Sequence, residues 1–309
     1  MRYDDFVTTT GQARWSLVTF AAGTGGQVGV QQVGAADVRV PEFLRGLESV
    51  ADVVASWDAL APRLRAHDPA AGELVERPVL LTPLRYPRKV LCSGPNYHDH
   101  LAEMGEAALG EKWTAYFFFK PPTTTLIGPA DPIEVRESWP EDKVDWEGEL
   151  AVVIARGGRD IPESAAMDHL AGYTVANDIS WRGPHRRETP AAPFVWDWVA
   201  SKAADGSLPL GPGLVPRWQV DERPLRIRTV VNGQTKQDGT TAHMVLGIAE
   251  LVAHASRLVT LEPGDVILTG TPAGVGAGRG EFLAPGDVVE VEIEGIGRLR
   301  NEVRLRPQA

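Results

Sequence analysis

The chain has 309 residues, 43% of them hydrophobic and 23% charged, with a formal net charge of −10. That is enough for one large or two unequal domains of an ordinary globular protein, and the anionic balance excludes nucleic acid as an expected partner, because binding phosphates rests on Lys and Arg. Apolar runs such as 150–155 are far shorter than the roughly 20 residues that cross a bilayer, the first residues lack a signal-peptide core, and the single cysteine, Cys92, excludes an internal disulfide and points to a reducing cytoplasm.

Residues 1–84 are expected to form a small N-terminal α+β domain. Segments 14–20 and 27–33 read as strands around the Gly-rich turn Gly23-Thr24-Gly25-Gly26. Val50, Val53, Val54, Trp57, Leu60 and Leu64 recur at helical spacing and predict one helix over 50–66. The Pro-rich stretch 67–89 ends in an extended segment, 80–86, that links to a larger domain over 85–309.

Asn96 stands where it can cap a helix over 96–104. His100 and Glu103 then lie at i and i+3 on neighbouring positions of one face. A carboxylate beside an imidazole orients it and raises its basicity, as a general base requires. An ordinary surface His–Glu pair is the other reading. Next comes the aromatic strand Tyr116-Phe117-Phe118-Phe119, which stops at Lys120-Pro121. Core packing accounts for the rings, leaving Lys120 as the member with functional potential.

Residues 144–154 begin with Asp145, Glu147 and Glu149 at a spacing of two and continue as an unbroken apolar run. A strand has a side-chain period of two, so the three carboxylates are expected on one face, followed by a strand buried on both. Crowded carboxylates at the end of a buried strand call for a hard divalent cation. A solvated polar face, or pairing with arginines, stays open. The segment 172–182 reads as a strand delivering Asn177-Asp178 at its end, with Arg182 four residues on, able to grip a carboxylate in two-pronged fashion. Alternatively Asn177-Asp178 is a turn or helix cap.

Lys202 precedes a Gly/Pro-rich turn and could steady developing negative charge, or simply be a solvated lysine. Helical patterns recur at 164–169 and 244–257. Pro263-Gly264 and Pro285-Gly286 both read as turns that launch strands. The run Thr269-Gly270-Thr271-Pro272-Ala273-Gly274 follows an apolar strand and lets backbone N–H groups approach an anion. It is neither a Walker A loop nor a dinucleotide fingerprint. The irregular short helices among many strands predict a mostly β, α+β fold.

Taken in order, these elements resemble the fumarylacetoacetate hydrolase family. The match is carried by Asn96-Tyr97-x-x-His100-x-x-Glu103, Phe119-Lys120-Pro121, Asp145-x-Glu147-x-Glu149, Asn177-Asp178-x-x-x-Arg182, Lys202-x-x-Asp205, and the signature from Leu261 to Gly276. The resemblance implies a mixed β-roll catalytic domain, usually a homodimer. It implies Mg²⁺, with Mn²⁺ or Ca²⁺ as substitutes, held by Glu147, Glu149 and Asp178, with Asp145 in support. Family chemistry acts on small 2-oxo and β-diketo acids, and no nucleic acid or membrane partner is expected.

The roles implied are catalytic for His100, Glu103 and Lys202. Arg182, Thr271, Gly270, Lys120 and His185 would bind substrate. The leading expectation is hydrolysis of a C–C bond in an acylpyruvate-like acid. Isomerisation or decarboxylation through the same enolate is the alternative, and an inactive 2-oxo acid binder is a remote third. The chain departs from the family pattern at Trp181, His185 and residues 240–243, and in the aromatics Phe194, Trp196 and Trp198. These changes predict a pocket walled by aromatics that accepts a bulky acyl group.

Overall fold

A computed structural model describes residues 14–105, 114–189, 191, 195–220 and 223–307. Its spine is a twelve-stranded mixed sheet. The path runs Glu73–Val75, Val38–Val40, Gly25–Gln32, Trp15–Ala22, Leu208–Pro216, Leu170–Asn177, Gly148–Ile154, Val266–Leu268, Val90–Ser93 and Phe117–Phe119. Two further strands, Leu80–Leu81 and Leu126–Ile127, pair off that path. A second sheet of five strands comprises Gln234–Thr240, Arg226–Val231, Val288–Ile293, Gly297–Leu305 and Ile133–Val135. The fold is thus a sheet-rich α+β roll, as the sequence predicts.

The Gly148–Ile154 strand is buried along its whole length. Its period of two sends alternate side chains to opposite cores. Leu150, Val152 and Ile154 pack with Ile227, Val291, Ile293 and Leu299 of the five-stranded sheet. Ala151 and Val153 join Leu17, Val28, Val53 and Leu64 on the other side. Leu150, Val152 and Ile154 are together bulkier than Ala151 and Val153, so more side-chain volume lies toward the second sheet. The twelve-stranded sheet runs across the expected boundary at 84/85: Leu17 pairs with Leu214, and residues from both sides share one core.

Several expected elements differ in detail. The 50–66 helix is two, Val50–Ala55 and Trp57–Ala66, broken at Ser56, whose N–H still reaches back to the first helix. Ser49 and Asp52 close a capping box on the first. The 96–104 helix spans His98–Glu103 and Tyr97, not Asn96, stands at its N-cap. Asn96 is spent on a longer-range tie. Its amide donates to Leu246 O and Thr269 O and accepts from Leu246 N, pinning the helix entry to two distant loops.

The acidic segment is also not one strand. Val144–Asp145 pairs with Ser180–Trp181, the chain breaks at Trp146-Glu147, and Gly148–Ile154 starts anew. The 244–257 helix spans Ile248–Leu258, with Glu250 accepting from Gly247 N. Both Pro-Gly turns form, with Gly264 at φ 89° and Gly286 at φ 94°, the sign such turns require. In each, an aspartate (Asp265, Asp287) accepts the N–H three residues back. Among the described residues no helix is long and apolar enough to cross a membrane.

Candidate active site

Strand pairing assembles the acids. Gly148 pairs with Asn177 and Glu149 with Ala176, so Asp178 arrives just beyond the strand end beside Glu147. Asp178 N donates to Glu147 O (2.9 Å) and Glu147 N to Asn177 Oδ1 (3.0 Å), locking the two chain ends. Carboxylate oxygens of Glu147, Glu149 and Asp178 then lie within 4.8 Å of one another, and all three residues are buried. Asp145 does not join them. The break at Trp146 turns it to the 276–277 backbone, where it accepts from Gly276 N and Ala277 N and pairs with Arg182 Nε (2.9 Å).

Three cations answer these acids. The Lys202 ammonium bridges Glu147 Oε2 (2.7 Å) and Asp178 Oδ2 (2.9 Å). Burial opposes its charge, but Asp178 and Glu147 prevail and hold it above the ordinary lysine range. Lys120 is wholly buried: it pairs with Asp178 Oδ1 (2.8 Å) and donates to the carbonyls of Ile179, Lys202 and Ser207. Arg182 spans Asp145 and Glu147. Burial works against the Glu147 carboxylate, yet Lys202 and Arg182 hold its pKa well below the usual value.

Glu149 is different. Its Oε2 accepts from Gly270 N (2.6 Å), and among the described residues it has no cationic partner. Burial, then Asp178 and Glu147, push its pKa well up. Four carboxylates thus face three cations, and the odd one is buried next to two others. This donor set fits a divalent ion bound by hard oxygens. With Glu149 ionised and such an ion bound, the site would carry one positive charge in excess, suited to an acid substrate.

Gly270 and Thr271 lie where the sequence placed them. Gly270, at φ 90°, aims its N–H at Glu149. The Thr271 hydroxyl is engaged: it donates to Gly148 O (2.9 Å) and accepts from Gln237 Nε2 (2.8 Å). Gln237 is a site residue that the sequence reading missed. Fully buried, it accepts from Gly148 N (3.0 Å) and Thr229 Oγ1, and donates to Thr271 and Pro272 O. Both backbone groups of Gly148, between the two glutamates, are therefore held by Gln237 and Thr271. Gln237 stands in an ordinary hairpin strand, and only its complete burial marks it.

His100 Nδ1 lies 3.0 Å from Glu103 Oε2. Glu103 Oε1 accepts from Gly274 N (3.0 Å). Burial disfavours the charge on Glu103, but these two hydrogen bonds outweigh it and lower its pKa. An ionised Glu103 accepts from Nδ1–H, which leaves Nε2 as the basic nitrogen. His100 is itself buried and close enough to influence the Glu147 carboxylate, so pair and acids share one site.

The unusual aromatics part company. Trp181 is core, 2% exposed, on the strand paired with Val144. His185 stands between Trp196 and Trp198, 4.9 Å from each ring centre. Burial, then Arg182 and Lys202, lower its pKa and favour the neutral ring. Phe194 lies outside the described residues.

A model of the fumarylacetoacetate (FAA) hydrolase C-terminal domain matches residues 89–304. The mitochondrial oxaloacetate tautomerase fahd2 of Xenopus laevis is 42% identical over 227 residues, 72% of this chain and 68% of its own length. Among solved structures, a fumarylacetoacetate hydrolase from Exiguobacterium antarcticum superposes with a TM-score of 0.77 at 33% identity, over 94% of this chain and all of that one. A 5-carboxymethyl-2-hydroxymuconate delta-isomerase from Mycobacterium smegmatis gives 0.72 at 31%, over 95% of this chain and all of that one. A maleylpyruvate hydrolase from Sphingobium sp. SYK-6, solved with manganese(II) and pyruvate, gives 0.73 at 26%, over 94% of this chain and all of that one. Hydrolases, isomerases and tautomerases thus share this architecture. With the carboxylate trio and the matched residues in hand, the chain belongs to the fumarylacetoacetate hydrolase family.

Proposed function

We propose that this protein catalyses proton transfer at the carbon next to the oxo group of a small 2-oxo acid, interconverting its keto and enol forms. The observation that carries this reading is one buried carboxylate among three with no ion pair among the described residues, beside a histidine whose Nε2 has no hydrogen bond among them. Glu147, Glu149 and Asp178 would hold a divalent ion, for which Mg²⁺ is the first choice and Mn²⁺ a substitute. When bound, that ion supplies Lewis-acid polarisation of the substrate oxygens and countercharge for the enolate.

The chain's own groups supply the rest. His100 Nε2 takes the proton from the substrate carbon and returns it, and Glu103 holds the ring and steadies its charged form. Lys202 uses two of its three N–H donors on Glu147 and Asp178. The third is left for a substrate oxygen that gains negative charge. Arg182 and Lys120, bound to acids, place the ligands rather than the substrate. This redistributes the roles expected from sequence, and Thr271 with Gly270 likewise shapes the cradle. The tautomerase relative supports the reaction.

Hydrolysis of a C–C bond in a 2,4-dioxo acid is the second reading. There His100 would deprotonate water instead, and the aromatic side of the site, built for a distal group, favours it. The intact His100–Glu103 pair speaks against a mere binder. A dimer, expected from the family resemblance, and a cytoplasmic location, expected from the single cysteine, complete the proposal, as does the division into residues 1–84 and a larger unit. The deciding experiment incubates metal-loaded protein with oxaloacetate and with 2,4-dioxo acids in ²H₂O. Metal-dependent deuterium exchange at C3 without carboxylic acid release supports the tautomerase. Acid release from the dioxo acids supports the hydrolase, and neither event overturns both.

A further inference from the structure

A row of rings leads from the carboxylates outward. Lys202 Nζ, bonded to Glu147 and Asp178, lies 5.1 Å from the centre of Phe118. Phe118 stacks on Trp198 at 5.2 Å with an interplanar angle of 19°. Trp198 meets His185 edge-on at 4.9 Å, and His185 meets Trp196, which is 55% exposed. The row therefore begins at the carboxylates and ends in solvent.

Three facts give this wall a preference. Trp198 and Lys202 open and close one short helix, Trp198–Lys202, N-capped by Asp197, so one element places both a wall ring and the site cation. The cations acting on His185, Arg182 and Lys202, are already engaged by Asp145, Glu147 and Asp178. His185 Nδ1 is buried and has no hydrogen-bond partner among the described residues, so one polar atom faces an otherwise aromatic surface. Aromatic faces favour flat, apolar groups in stacked or edge-on contact. A carboxylate placed against Phe118 and Trp198 would lose water, and the inner cations Arg182 and Lys202 are already bound to acids.

We propose that Phe118, Trp198, His185 and Trp196 form a subsite for the distal group of the substrate, and that this group is planar and uncharged: an aryl or aroyl substituent on C3 of a 2-oxo acid. Trp198 and His185 take its faces and edge. The inference rests on the reading that the acids bind a 2-oxo acid through a metal. It adds which 2-oxo acid. Arg186 and Arg187, exposed and next to His185 in the chain, are the cations that would serve a charged distal group instead.

The test measures binding and turnover separately on Mn²⁺-loaded full-length protein. Calorimetry compares a 3-aryl-2-oxopropanoate with oxaloacetate, and C3 deuterium exchange follows both. The aryl acid should bind at least about tenfold tighter, the size of one aromatic contact plus its buried area. Trp196→Ala and Trp198→Leu should each shrink that ratio several-fold. Because Trp196 is exposed, its variant keeps the test open should Trp198→Leu fail to fold. A ratio favouring oxaloacetate, or one that neither variant moves, overturns the subsite, and loss of the oxaloacetate preference in Arg187→Ala would identify what replaces it. Tight aryl binding without any exchange would leave the subsite standing and remove the tautomerase reading.

Discussion

The acid cradle and the His100 helix sit in one site but are held in different ways. Glu149 projects from a strand paired on both sides, and Glu147 and Asp178 are tied to each other just outside the strand ends. Lys120 and Lys202 engage Asp178, Lys202 also engages Glu147, and Gln237 with Thr271 holds the backbone of the intervening Gly148. His100 rides on a helix of six residues, tied down by Asn96 at its start and by the Glu103–Gly274 contact at its end. Charge is thus held where nothing can shift, and the proton is moved from an element with few anchors. An ion site tolerates little displacement of its ligands, whereas a base must approach and leave a reacting carbon.

Four measurements would break or sharpen that contrast. Removing the cradle's function should cost most. Glu149→Ala, or chelation of the metal, should lower turnover by about 10³-fold or more, the scale of several kcal/mol of charge stabilisation. Full activity with excess chelator would end the metal reading. Next, His100→Ala should lose about 10²–10⁴-fold in kcat while calorimetry shows Mn²⁺ binding unchanged, and a parallel loss of affinity would mean that helix and cradle are not separable. Third, Gln237→Leu, which frees both Gly148 N and Thr271, should weaken Mn²⁺ binding by about 10–100-fold. Thr229→Val removes only one donor to Gln237 and should lower Tm with little change in affinity.

The smallest effect is a pH dependence. Burial beside Asp178 and Glu147 raises the Glu149 pKa. Above the ordinary glutamate value, the folded metal-free protein therefore keeps a proton that the unfolded chain has lost. Its contribution to stability is full below that value and falls as pH rises through the window up to the raised pKa. Metal must displace the proton, so affinity should climb by up to about tenfold per pH unit there. Calorimetry in two buffers of different ionisation heat would detect the proton release, and none across the window would refute the Glu149 assignment.

Much of this was legible in the residues because each signal had a local cause. The alternation before an apolar run located Glu147 and Glu149, and the i, i+3 spacing located His100 and Glu103. The Pro-Gly turns formed as read. What stayed hidden depended on contacts between distant segments. Asp145 keeps the same spacing as the two glutamates, yet the break at Trp146 and the N–H groups of Gly276 and Ala277 draw it aside. Asn96 has the chemistry of a cap but is claimed by loops some 150 residues away. Lys202 could pass for a surface lysine until Glu147 and Asp178 close on it, and no pattern in 234–240 distinguishes Gln237 from its exposed neighbours.

The single residue between the two glutamates has no side chain, and none would fit. A Cβ on Gly148 would run into the Thr229 hydroxyl and come within 2.9 Å of Val291, both on the second sheet. The spacing of the acids is therefore coupled to the packing of residues 226–305. Position 148 is a mutational dead end: any replacement must either push the five-stranded layer away or tilt the strand that carries both glutamates. Substitutions around the distal wall can change what this protein accepts, whereas position 148 lacks one methyl group's worth of room.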